Sequence, residues 1–228
     1  MVAPPSISVN KLAEYIVSRG ARQRKILMDR KYPDEDFSLG MYHREAAEAV
    51  SKYLSDGAVD PDPLTRQLRL LSQMTTEKVG TARRVNANID ALERFSEMLD
   101  DIDLMEAEPS LGPHSPPKLR FHNVEISVRP EIVLRGTGAK KKKCVGAMKL
   151  HFSKTRPLNE EAAGYVSAVL QEFTRLHIAE DDEVVHPSYC QVIDVASGRV
   201  YPGVKSTTQR MKDIAAECQN IAGLWPSI

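Results

Sequence analysis

The chain has 228 residues, with 31 Lys and Arg against 31 Asp and Glu, so its formal net charge is zero and the whole-molecule field offers nucleic acid no attraction. Its three cysteines, Cys144, Cys190 and Cys218, are odd in number and contain no Cys-x-x-Cys pair, which argues against a disulfide framework or a structural zinc site and for a reducing, cytoplasmic setting. No apolar run approaches the ~20 residues that span a bilayer, so no membrane partner is expected.

The N-terminal part reads as helical. Val9, Leu12, Ala13, Ile16 and Val17 recur at helical spacing behind a candidate cap, Ser8. The basic segment Gln23 to Tyr32 suits a second helix that ends at Pro33 and the acidic Asp34, Glu35 and Asp36. A third covers Tyr42 to Leu54, where the alanines, Val50, Tyr53 and Leu54 share the period, and it stops at Gly57 and the Asp60 to Pro63 run. Leu64, Leu68, Leu71 and Met74 give a fourth; Ile89, Leu92, Phe95, Met98 and Leu99 give the face of a fifth.

The expected organisation is therefore a helical lobe over residues 1–105, a proline-rich linker over 106–117 and an α/β core over 118–228. In the core the period becomes alternating: Leu119 and Phe121, Val124 to Val128, Ile132 and Leu134, then Met148, Leu150 and Phe152. Three strands in a meander are the economical reading. Asn159 opens a helix with Tyr165, Val166, Val169, Leu170 and Phe173 on its apolar face, a hairpin follows over Tyr189 to Tyr201, and Thr207 to Leu224 form the last helix. The fold class is α+β.

The segment from Val124 to Lys154 carries the chemistry. Strands joined by a tight connection pair antiparallel, and a turn centred near Gly138 to Lys140 sets Glu131 opposite Lys149. Alternation sends Met148, Leu150 and Phe152 to the core and Ala147, Lys149, His151 and Ser153 to a polar row on a sheet surface, with Val133 and Arg135 beside Glu131. A carboxylate can hold a divalent ion that polarises a phosphodiester, while a lysine positions water or offsets developing charge.

Pro130-Glu131 followed by Ala147-Met148-Lys149 resembles the Pro-Asp and (D/E)XK elements of the PD-(D/E)XK nuclease superfamily, over residues 119–201. The resemblance implies an antiparallel or mixed sheet flanked by helices and magnesium- or manganese-dependent hydrolysis of DNA or RNA. Glu131 would be a metal ligand and Lys149 the group that orients water. Two departures stand out: the aspartate is a glutamate, and Ala147 occupies the position of the second acid. Some members carry that acid on the following helix, which points to Glu160 or Glu161 as metal ligands, with Glu161 favoured as catalytic because it lies one turn before Tyr165. Both also suit ordinary electrostatic capping of a helix start. The alternative is a catalytically inactive protein of the same fold that binds nucleic acid or, through its helical lobe, a partner protein.

Other candidates are binding residues. Lys140, Lys141, Lys142 and Lys143 suit a phosphate backbone or a solvated loop tip, and His151 is placed for a phosphate or as a general base. Glu125 lies six residues from Glu131, ~20 Å along a strand, and reads as a solvated outward residue. Arg19, Arg22, Arg24, Lys25, Arg30 and Lys31 form a basic segment that the nearby acids can neutralise internally, and Lys78, Arg83 and Arg84 join it only if the lobe folds over the sheet. Trp225 reads as a core anchor. No Gly-rich phosphate loop, Gly-x-Ser-x-Gly elbow or His-Glu-x-x-His helix occurs, which leaves nucleotide hydrolases, serine hydrolases and zinc proteases without support.

Overall fold

The structure, a computed structural model, describes residues 4–33 and 42–228. It is α+β, and none of its described helices is long and apolar enough to cross a membrane. Strand β1 (Ser6–Ser8) runs straight into α1 (Val9–Val17), because the Ser8 hydroxyl accepts the Lys11 N–H at 3.4 Å and caps the helix. Helix α2 (Ala21–Lys31) follows, then α3 (Arg44–Ser55), α4 (Asp62–Ser72) and α5 (Val79–Ser96). Strand β2 (Glu108–Leu111) occupies the stretch expected to be a linker; it is an edge strand and so tolerates Pro109, which has no N–H to donate.

Strands β3 (Leu119–Phe121) and β4 (Val124–Ser127) form a hairpin around His122 and Asn123, whose φ values of 45° and 64° suit the tight turn. The expected three-strand meander is not formed, since β4 pairs with β3 and, in parallel, with β1, making a small separate sheet. Pro130 sits at the transition, where the chain leaves that sheet and enters β5 (Ile132–Thr137) of a larger one.

Strand β6 (Lys143–His151) is the spine of the larger sheet. It pairs antiparallel with β5, which pairs with β2, and parallel on its other side with β7 (Glu183–Val185) at one end and β8 (Val192–Asp194) at the other. Strand β9 (Arg199–Tyr201) closes that edge as the expected hairpin partner of β8. Between β7 and β8 the chain crosses β6 so closely that a Cβ on Gly146 would lie 2.2 Å from Cβ of Tyr189. Helix α6 (Glu160–His177), capped by the Asn159 side chain on Ala162 N at 2.8 Å, makes the crossover from β6, and α7 (Thr208–Leu224) packs on it.

Two apolar layers enclose the sheet. On one side α1, α6 and α7 contribute Leu12, Leu170, Phe173 and Ile214 to a core that also takes Ala147, Val192 and Trp225. On the other, α3, α4 and α5 contribute Val50, Leu54, Leu71, Leu92 and Phe95 against Ile132, Leu134, Met148 and Leu150. The apolar side chains of residues 7–27 thus join the cluster of the C-terminal core and not that of α3 to α5, so the 1–105 boundary does not follow the packing. Burial on both faces also corrects the expected surface row: from Cys144 to His151 every residue of β6 is buried.

Candidate functional site

The β5–β6 register places Ile132 opposite Met148 and Val133 opposite Ala147, and the Glu131 N–H donates to Met148 O at 3.0 Å. Glu131 and Lys149 are therefore cross-strand neighbours, as the turn position required. Lys149 Nζ donates to Glu131 Oε1 at 2.5 Å and to the Arg129 carbonyl at 2.8 Å, while Glu131 Oε2 accepts the Leu150 N–H at 2.7 Å. The carboxylate thus takes a ladder bond that the backbone abandons where Arg129 and Pro130 bend away. With side chains only 11% and 18% exposed, the pair is largely withdrawn from water.

Strand β8 supports the pair from the far side, its neighbour Gln191 accepting the Lys149 N–H at 3.0 Å. In the β6–β8 ladder His151 stands opposite Asp194, a fully buried carboxylate. Asp194 Oδ2 accepts from Leu158 N at 2.7 Å and Ser197 Oγ at 2.9 Å, and Oδ1 from Ala196 N at 3.2 Å, so its role is to fix the flanking loops. His151 Nε2 lies 2.7 Å from the Arg156 carbonyl, which can only accept, so Nε2 carries a proton. Burial pushes the His151 pKa below its ordinary value, assisted by the charges of Lys11 and Lys149 and opposed by the Arg156 hydrogen bond and Asp194.

Helix α1 lies over this end of β6, with Asn10 Nδ2 donating to the Leu150 carbonyl at 3.2 Å. One turn on, Glu14 receives Lys11 Nζ at 2.6 Å and the Arg22 guanidinium through both Nε, at 2.8 Å, and its terminal nitrogen, while Arg156 Nε approaches to 3.7 Å. Burial alone would raise the Glu14 carboxyl, but hydrogen bonds and charge from Lys11 and Arg22 outweigh it and hold the pKa below the ordinary carboxylate value. Sequence reasoning missed Asn10, Glu14 and Arg156. The only available signal was Asn10 and Glu14 at a spacing of four on the flank of the α1 apolar stripe.

The remaining candidates lie elsewhere. Glu160 and Glu161 occupy the exposed first turn of α6, where Glu161 acts electrostatically on Tyr165, a residue bonded to Asp213 of α7 at 3.2 Å. Neither forms an ion pair or hydrogen bond with Glu131 or Lys149 among the described residues. Ala147 faces the α6 layer at 0% exposure. Among the described residues no group of three or more His, Cys, Asp or Glu is placed to hold a metal ion. Lys140 to Lys143 sit exposed at the opposite end of the hairpin, where Lys143 pairs with Asp182 at 2.6 Å.

In the basic segment, Lys25 pairs with Asp29 at 3.1 Å, Arg30 donates to Ser6 O at 3.0 Å, and Lys31 Nζ donates to Trp225 O at 2.8 Å. Asp34 to Asp36, expected to neutralise it, lie outside the described residues. Glu125 is held by Lys118 and Arg120, each at 2.7 Å, on the small sheet. The Cys190 and Cys218 thiols are pushed by burial to about 11 and about 12, so neither is a thiolate near neutrality. No known protein-family model matches this chain, and no curated protein is significantly similar to it.

Proposed function

We propose that the protein is a nuclease-like nucleic-acid-binding protein that engages phosphate groups at the Glu131–Lys149 end of its sheet through side-chain cations. One observation carries this reading: both oxygens of Glu131 are already engaged, by Lys149 and Leu150 N, beside an Ala147 packed against α6, while Lys11, Arg22, Arg156 and Lys149 gather at the same end of β6. Magnesium asks for near-octahedral oxygen ligands, usually one or two carboxylates with water and substrate phosphate. An ammonium 2.5 Å from one Glu131 oxygen repels such an ion, so the donor set as arranged does not fit it. An ammonium carries three N–H donors, of which Glu131 and the Arg129 carbonyl take two, and the third suits a phosphate oxygen.

A second reading, magnesium- or manganese-dependent hydrolysis of DNA or RNA, is favoured by the cross-strand placement of Glu131 and Lys149 itself. It requires Glu131 to turn away from Lys149 and a further carboxylate, from Glu160 or Glu161, to join it. The two readings separate in one set of assays on the full chain. Binding of labelled single- and double-stranded DNA and RNA in EDTA, weakening with salt and with Lys149→Met, supports the first. Cleavage with magnesium or manganese, abolished by Glu131→Gln in a variant still folded at the assay temperature, replaces it with the second.

A further inference from the structure

We infer that Lys11, Arg22 and Arg156, gathered around Glu14, form a preorganised seat for one phosphate group of the bound strand; this rests on the nucleic-acid-binding reading above. Three cations converge on a single carboxylate: Lys11 Nζ at 2.6 Å, Arg22 Nε at 2.8 Å and Arg156 Nε at 3.7 Å from Glu14 oxygens. An internal salt-bridge network would balance its charges. This one leaves two positive charges over; the neighbouring Lys149 is balanced by Glu131, and the His151 ring between them feels Lys11 and Lys149 on one side of the balance and Asp194 on the other. Like charges held together on a partly buried surface repel, and an oxyanion relieves that repulsion.

The seat's parts differ in how firmly they are held. Glu14 is only 12% exposed and acts as the internal counter-charge that keeps the three cations convergent before any ligand arrives. Asn10 ties α1 to β6 through Leu150 O, which fixes the seat beside Lys149. Arg156, with a 54% exposed side chain and the longest contact, is free to turn its fork toward a phosphate, and guanidinium and phosphate match in bidentate geometry. Two sources supply this chemistry: an internal phosphodiester, or a terminal phosphate monoester whose dianion equals the excess charge.

The test uses the full chain without divalent metal. Inorganic phosphate, titrated against sodium chloride at matched ionic strength, raises the melting temperature of the wild type. Arg156→Gln, whose backbone carbonyl still accepts from His151, weakens the phosphate effect about tenfold, the scale of a lost charged hydrogen bond. Lys11→Gln weakens it as well. In EDTA, Arg156→Gln also lowers the salt slope for a single-stranded oligonucleotide by about 0.7, the contribution of one phosphate contact. A preference for 5′-phosphorylated over 5′-hydroxyl strands identifies the monoester as occupant; equal affinity, still sensitive to Arg156→Gln, identifies the diester.

Phosphate that protects no more than chloride, or protection unchanged in both Arg156→Gln and Lys11→Gln, overturns the seat. If the wild type nevertheless binds oligonucleotides in a salt-sensitive way, the seat alone has failed. Phosphate protection without any oligonucleotide binding retains the seat as a small-anion site and overturns the nucleic-acid reading.

Discussion

The two ends of the β5–β6 hairpin carry the same kind of charge in opposite physical settings. At the mouth, where the two strands part, Lys149 lies beside β8 and is satisfied by Glu131 and the Arg129 carbonyl. At the turn Lys140 and Lys141 adopt left-handed backbone, with φ of 59° and 58°, and are exposed. A lysine in water is held by nothing and costs little to remove, whereas one withdrawn from water is tied to every partner that offset its desolvation. Position along one hairpin, and not residue type, therefore decides which lysines belong to a built site.

The comparison breaks hardest at Ala147. Ala147→Glu, the change that would restore the missing acid, puts an unpaired carboxylate into the α6 layer and should lower stability by about 3 to 5 kcal/mol, read from urea unfolding. A folded variant with newly acquired magnesium-dependent cleavage would show that the position opens to solvent. Next is Lys149→Ala, which strands Glu131 and the Arg129 carbonyl together and should cost about 3 kcal/mol. A double-mutant cycle with Glu131→Gln should reveal strong coupling, and additive losses would mean the pair is not one unit.

A smaller effect comes from protons. Burial lowers the pKa of His151, and of His43, whose ring stacks on Phe152 at 5.3 Å with Lys154 and His151 adding to the depression and a bond to the Ala87 backbone opposing it. Both folded values lie below the unfolded value of about 6.5, so unfolded chains take up protons first. Stability is full above pH 6.5 and declines as pH falls toward the folded values; a melting temperature that rises on going from pH 7 to pH 5.5 would contradict this sign. The smallest effect belongs to the turn. Changing Lys140, Lys141 and Lys142 to Gln should leave stability within about 0.5 kcal/mol, so any loss of oligonucleotide affinity would report contact and not unfolding.

The hairpin's register was legible because turn position and period-two alternation together specify which residues face each other, and Glu131 and Lys149 follow from them alone. The direction of the polar row was not, because alternation cannot tell a solvated face from one covered by a distant helix; α1 and α6 cover it here. The meander failed at Pro130, where a run of alternating residues continues in sequence while the chain changes sheets. Strands β1, β2 and β7, of three to four residues, are too short to show a period. Glu14 and Arg156 were invisible for a different reason: they meet across 142 positions, and only the packing of α1 against α6 brings them together.

The most direct test is fluorescence anisotropy of a labelled single-stranded oligonucleotide with wild-type protein and Lys149→Met, in EDTA, between 50 and about 200 mM salt. The expected result, read at a temperature where urea unfolding shows Lys149→Met still folded, is wild-type binding that weakens with salt and is reduced in Lys149→Met while Lys140→Gln retains most of it. Wild-type protein that fails to bind at the lowest salt, or a Lys149→Met variant that binds as well as the wild type, would contradict the assignment of this end of the hairpin to phosphate recognition.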